Sequence, residues 1–360
     1  MMQKKYNRRS ALGLLGSGAV AGVALKLEGY NKALAAEAKR LNFFNWDTYI
    51  GETTLSDFRK ETGIRVKMSI FGDNDELFSK LREGNPGYDV IVPSSDYVQR
   101  MIAANMLMPL DHDKLPNMKN LFKVFLDQEF DPKRRYSMAY QTGSMGIGYR
   151  KSVAKKTKMD SWKWLFKSRK FTKRIALQSD ASTVLGAAGK YLGYSYNIPR
   201  KRQIKRAADL IIAQKKNIRA FAPDTGQDLL LSRDVDACLE WSGDIWQANQ
   251  TDPDIGYAFA KEGGLWFEDC MCIPKGAPHP NNAHAFINYI MDAQVAKEIE
   301  EFIGYATPNQ AAYNLMSAAY KKDTILWPKK SIRKKYESAL YLGEEHVRAL
   351  DEAWTKVQAA

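Results

Sequence analysis

The chain has 360 residues, 45% hydrophobic and 26% charged, with a formal net charge of +13. That length accommodates two domains with cores of their own, and that composition excludes a low-complexity or disordered chain. Three cysteines, Cys238, Cys270 and Cys272, are too few and too late for a disulfide scaffold, although one disulfide with one thiol left over remains open.

The first 35 residues read as a separate object. Paired Arg8 and Arg9 precede a mild apolar run from Ala11 to Leu25, and "ALA" at 33–35 offers small residues for cleavage. This is the pattern of an export signal of the twin-arginine type. The apolar run has about 15 residues against the roughly 20 that span a bilayer, so an uncleaved anchor is the weaker reading. Six bases against Glu28 give this segment +5, which leaves +8 on residues 36–360. Much of that excess lies between Arg150 and Arg174. With no nucleic-acid motif beside it, the basic run reads as a solvated face, and no nucleic-acid partner is expected.

From residue 41 the chain alternates strand-like and helix-like segments. "LNFFNW" (41–46), "IRVKMSIF" (64–71) and "YDVIVPS" (88–94) predict strands. Between the first two, Leu55 and Phe58 share a helical face that ends at Gly63. Between the next two, Asn74 is the expected cap of a helix carrying Leu77, Phe78 and Leu81, with Gly84 past its end. Alternating strands and helices imply α/β architecture with mostly parallel sheets, whose ligands bind beyond the carboxyl ends of the strands. Trp46, Asp47, Tyr49, Ser94, Ser95 and Asp96 then share one rim. Farther on, "RIALQSD" ends in Asp180, "DACLEWSGDIW" breaks at Trp241 and Asp244, and "WFEDCMCIP" starts with Phe267 and Asp269. A single Asp after a strand is usually a cap or turn residue. Four strand boundaries each with a carboxylate, three beside an aromatic, point to a binding site.

These motifs resemble the periplasmic polyamine-binding proteins, the receptors of ABC-type spermidine/putrescine importers. The resemblance runs from about residue 40 to the C-terminus through "FNWDTYI", "FRKETGIRV", "YDVIVPSSDYVQRM", "DSWKWLF", "KEGGLWFEDCMCIP", "IGYATPNQAA" and "AWTKV". It implies the two-lobed periplasmic binding protein fold (type II-like), with a hinged cleft. The lobes would be 36–143 plus 269–315 and 144–268 plus 316–360. It also implies a periplasmic, monomeric receptor that hands a polyamine to an inner-membrane ABC permease, with no cofactor, no metal and no enzymatic activity. By the same resemblance Trp46, Tyr49, Trp241, Phe267 and Tyr305 are aromatic walls and Ser94 lines the cleft. Asp180, Asp244 and Asp269 are carboxylate poles, and Trp327 stands where a putrescine receptor has a cleft tyrosine. Thr183 replaces a glutamate of the spermidine receptors, Asp96 an aromatic, and Thr48 an aspartate of the putrescine receptors with Asp47 next door. These departures leave the preferred polyamine open, while Asp244 and Phe267 lean towards putrescine.

The chemistry suits such a ligand. A polyamine has cationic ends, which need carboxylate acceptors, and an apolar middle, which needs flat walls whose faces also attract cations. A locally negative cleft in a positive protein is therefore expected. A receptor for another small cation such as thiamine, or a polyamine sensor without a transport role, remains an alternative. The four histidines, His112, His279, His284 and His346, read as surface residues away from the strand-end motifs.

Overall fold

Strand β1 (Arg40–Asn45) buries Leu41, Phe43 and Phe44 almost completely. An apolar strand of this kind forms only in the middle of a layered structure, and β1 has a strand on each side. It pairs in parallel with β2 (Arg65–Ile70) and with β3 (Val90–Ile91). The crossovers are α1 (Thr54–Thr62) and α2 (Asn74–Arg82). As expected, α1 stops at Gly63, whose φ of 77° lies in the left-handed region that terminates helices. The cap of α2 is Asp73 rather than Asn74, because the Asp73 carboxylate accepts from Glu76 N at 2.8 Å. Asn74 is the first helical residue, and its amide is used elsewhere. The strand expected over 88–94 is regular only at Val90–Ile91, and Ser95 opens helix α3 (Ser95–Ala103).

The computed structural model describes residues 37–360, and the expected export signal lies outside them. Among the described residues no helix is long and apolar enough to cross a membrane. Among the described residues nine strands form one sheet: eight follow the path β2-β1-β3-β9-β4-β7-β5-β6, and β8 pairs with β4 off that path. Its centre is the 14-residue strand β4 (Ser137–Arg150). The first part of β4 pairs antiparallel with β9 (Trp266–Cys272), ending at Ser144↔Trp266. From Met145 onward it pairs with β7 (Ala237–Trp241), and from Ile147 also with β8 (Ile255–Ala258). In the second half β5 (Ile175–Gln178) lies parallel to both β6 (Ile218–Ala222) and β7. The parallel pairing expected from the alternating pattern thus holds on the flanks, while β4 and β9 run antiparallel through the middle.

Helices cover both halves. α4 (Ala181–Tyr191), α5 (Lys201–Gln214) and the C-terminal α11 (Glu344–Ala359) pack together beside β5 and β6. α6 (Gly226–Leu231) and α7 (Ser242–Thr251) flank β7. α8 (Pro280–Ile290), α9 (Ala293–Ile303) and α10 (Gln310–Leu315) complete the first half, where Phe286 sits edge-on to Phe43 and Phe58. Each such buried ring contributes about 2–3 kcal/mol by leaving water.

Two sequence expectations need correction, and one question left open is settled. His279 and His284 are buried, not surface residues. His279 Nδ1 lies 3.0 Å from Asp89 Oδ2, and His284 Nε2 accepts from Asp111 N, so both tie loops to the first half. All three cysteines are free and buried, so no disulfide forms. Arg150, counted in the basic run, is buried and paired with Asp252 and Asp254.

Candidate functional site

The site lies where β4 passes from one half to the other. Asp269 is in the middle of β9, not at its start, and its carboxylate faces the first half's rim. Tyr49 Oη donates to Oδ2 at 2.7 Å, and Ser94 Oγ donates to Oδ1 at 2.6 Å. Asn74 fixes that serine: its Nδ2 donates to Ser94 Oγ and its Oδ1 accepts from Ser94 N, both at 3.0 Å. The backbones of Ser94 and Asp269 form an antiparallel bridge, which sets the register. Burial pushes the Asp269 carboxyl up to about 7, although both hydroxyls oppose the shift. The protein has therefore built an acceptor that is only half ionised near neutrality and gains from a cation.

A row of rings leads away from Asp269. Tyr49 meets Tyr305 edge-on at 5.1 Å, Tyr305 meets Phe267 at 5.9 Å, and Phe267 meets Trp241 at 5.3 Å. Tyr140 backs the row: its ring is edge-on to Tyr49, and its hydroxyl donates to Tyr49 O. Gly243 makes the row possible, because a Cβ there would fall 2.2 Å from Tyr305 Cε2. Trp46 stands to one side, with Nε1 donating to Val92 O at 2.9 Å and its ring 4.4 Å from Phe71.

Carboxylates gather around this row. Asp180 is the N-cap of α4 and accepts from Thr183 N and Ser182 Oγ. Asp96, in the first turn of α3, is pushed up to about 6 by burial and then by Asp180. Both line a cavity of about 70 Å³ together with Asp75, Tyr97, Tyr196 and Tyr341. At the end of β7, Asp244 lies with Asp224 and Glu240, one oxygen of each within 4.8 Å of the others. Burial, followed by mutual repulsion, raises Asp244 and Glu240 well above the carboxylate range. Asp47 is exposed and accepts from Thr48 N, yet its charge is felt at Asp224. The acids around the row repel one another, as expected of a negative cleft in a positive chain.

The structure therefore brings together Tyr49, Ser94, Trp241, Asp244, Phe267, Asp269 and Tyr305, with Asp96 and Asp180 beside a neighbouring cavity. It does not bring Trp327 to them. That ring packs on Tyr313 at 4.8 Å and Tyr320 at 5.9 Å, one layer behind Tyr305. Asn74, Asp224 and Glu240 escaped the sequence reading. Glu240 left a signal, a charged residue inside the otherwise apolar strand "ACLEW". Asp224 follows β6, whose weak pattern hid it. Asn74 has the local signature of a helix cap, and nothing near it in the sequence marks its amide as the partner of a serine 20 residues on.

The arrangement sets buried carboxylates at the ends of a row of edge-on rings. The model of the bacterial extracellular solute-binding protein family matches residues 53–328. A putrescine-binding periplasmic protein, SpuD of Pseudomonas aeruginosa, is 31% identical over 99% of this chain and 100% of its own length. A spermidine/putrescine-binding periplasmic protein of Escherichia coli is 33% identical over 90% of each chain. Among solved structures, a chain from Listeria monocytogenes superposes with a TM-score of 0.85 at 31% identity, covering 89% of this chain and 99% of its own. PotD of Streptococcus pneumoniae, a spermidine/putrescine ABC transporter substrate-binding protein, gives 0.78 at 28% identity, with the same coverage.

Proposed function

The chain belongs to the bacterial extracellular solute-binding protein family, and from that premise we propose that it is the periplasmic receptor of a polyamine importer. It captures putrescine or spermidine in the cleft and delivers it to an inner-membrane ABC permease. It acts as a monomer and performs no chemistry on its cargo. The observation that carries this reading is Asp269, gripped by Tyr49 and Ser94 at the head of the Tyr305–Phe267–Trp241 row. One ammonium sits at that carboxylate, the methylenes run along the rings, and the far end reaches acids of the second half.

The lobes are residues 36–143 with 269–315, and 144–268 with 316–360. The switch of partners along β4, between Ser144 and Met145, supports that boundary. An empty, closed cleft carries repelling carboxylates, so closure is favoured only when a cation is inside. This makes the closed shape a report of occupancy that a permease can read.

The test is calorimetric titration of the chain from residue 36 with putrescine, spermidine, cadaverine and thiamine. Micromolar or tighter binding of a polyamine, lost in Asp269→Ala, is the expected result. Binding of thiamine with none of the polyamines overturns the ligand class.

A further inference from the structure

The halves also touch where neither β4 nor β9 takes part. Arg100, near the end of α3, reaches Glu344, the first residue of α11, through two parallel bonds: Nε to Oε1 at 2.8 Å and Nη2 to Oε2 at 3.0 Å. The first half holds the guanidinium in place. Its carbon lies 4.1 Å from the centre of the Phe78 ring and 5.5 Å from that of Tyr97. Nη1 lies 3.4 Å from Asp75 Oδ1, which also accepts from Tyr97 Oη. The second half holds the acceptor. Tyr341 Oη donates to Glu344 Oε1 at 3.0 Å, and Asn197 Oδ1 anchors that loop by accepting from Leu340 N at 2.9 Å. A third bond crosses beside the pair, from Tyr341 N to Gln99 Oε1 at 3.0 Å. Exposed ion pairs usually contribute little, because two long side chains must be ordered and salt screens them. Here the Arg100 side chain is only 11% exposed and already ordered by its rings, and the two-pronged geometry is the one in which such a pair counts.

We infer that Arg100 and Glu344 form a clasp between the halves: a pair of positioning residues, outside the carboxylates and rings of the cleft, that sets how long the closed receptor keeps its cargo. The inference rests on the reading of the protein as a receptor whose cleft closes on a polyamine. Phe78, Tyr97 and Asp75 belong to the same half as Arg100, so the guanidinium keeps its pose when the halves part. Only Glu344 and Tyr341 are withdrawn. The clasp is therefore made on closure alone and stabilises the closed state selectively. It slows reopening and leaves the first encounter with the ligand unchanged. Arg100 and Tyr341 line the cavity that holds Asp96 and Asp180, and Glu344 does not. A direct effect of these charges on a cationic cargo makes a different forecast. Loss of the positive Arg100 would then tighten binding, and loss of the negative Glu344 would weaken it. The clasp requires both losses to weaken it.

Stopped-flow tryptophan fluorescence measures association and dissociation of putrescine for the full chain as wild type, Arg100→Gln, Glu344→Gln and the double variant. The expected result is dissociation about three- to fivefold faster in each single variant, with association within about twofold of wild type. The double variant dissociates no faster than the faster single one, because the two residues act as one pair. Arg100→Lys keeps the charge and loses the fork, so it too dissociates faster. It carries the test with Glu344→Gln if Arg100→Gln does not fold, since a direct charge effect leaves Arg100→Lys like wild type. Unchanged dissociation in the single variants overturns the clasp. So do losses that add in the double variant, and so does tighter binding in Arg100→Gln. If wild type gives no putrescine signal at all, the reading of function fails and the clasp falls with it.

Discussion

Acidifying the solution from pH 8 to pH 5 releases the ligand through Asp269. Burial lifts this carboxyl from 3.8 to about 7 in the empty protein. At ~1.4 kcal/mol per pKa unit, holding it ionised there costs about 4 kcal/mol. In the unfolded chain it ionises near 3.8, so its stabilising share is complete below that pH and disappears as the pH rises through 7. The empty protein therefore loses stability between about pH 4 and 7, and a cation in the cleft restores it. A polyamine's ammonium groups stay protonated throughout, being close to lysine in basicity. Ligand must bind the ionised form, so affinity falls about tenfold per pH unit below 7, or about a hundredfold at pH 5. Asp96, at about 6, steepens the lower end. Calorimetry with putrescine at pH 8, 7, 6 and 5, on wild type and Asp269→Asn, measures this directly. Affinity that is flat across the range, or that declines equally in Asp269→Asn, would refute the argument.

Other outcomes follow from the same geometry. Trp241→Ala removes the end of the aromatic row and weakens putrescine binding by about 1–2 kcal/mol, read by calorimetry, with little change in melting temperature. Arg134→Ala strands Glu268 in the core beside Asp269 and costs about 3–5 kcal/mol of stability in urea unfolding. Asp180→Ala removes the cap of α4 and lowers stability by about 1 kcal/mol in the same assay. The folded chain leaves all three buried thiols unmodified by an aromatic disulfide reagent until denaturant is added, and dithiothreitol does not shift its melting temperature.

Much of the first half was legible because local rules agree there. The apolar run at Leu41–Phe44 with Gly63 beyond its helix specified β1 and α1 nearly to the residue. The aromatic and acidic strand ends were visible too, and so was the partnership of Tyr49, Trp241, Phe267, Asp269 and Tyr305 once motif order was considered. What escaped depends on contacts distant in sequence. Asp269 looked like a strand-start residue, but pairing with Gln141 places it in mid-strand. His279 looked exposed because its partner Asp89 lies 190 residues earlier. Trp327 carried the right residue type beside the right motif, yet Tyr313 and Tyr320 claim its ring. Glu240 broke the hydrophobic pattern of its strand, a signal that has meaning only when Asp224 and Asp244 are seen beside it.

The shared strand β4 also dictates when the protein can fold. Gln141 pairs with Asp269, 128 residues later, and the helices of the second half lean on α11 at the very end of the chain. A ribosome that has made the first 250 residues has completed neither half. The loop entropy of closing β4 on β9 falls due only after synthesis is nearly finished. Closure of either half therefore waits until most of the chain has been made.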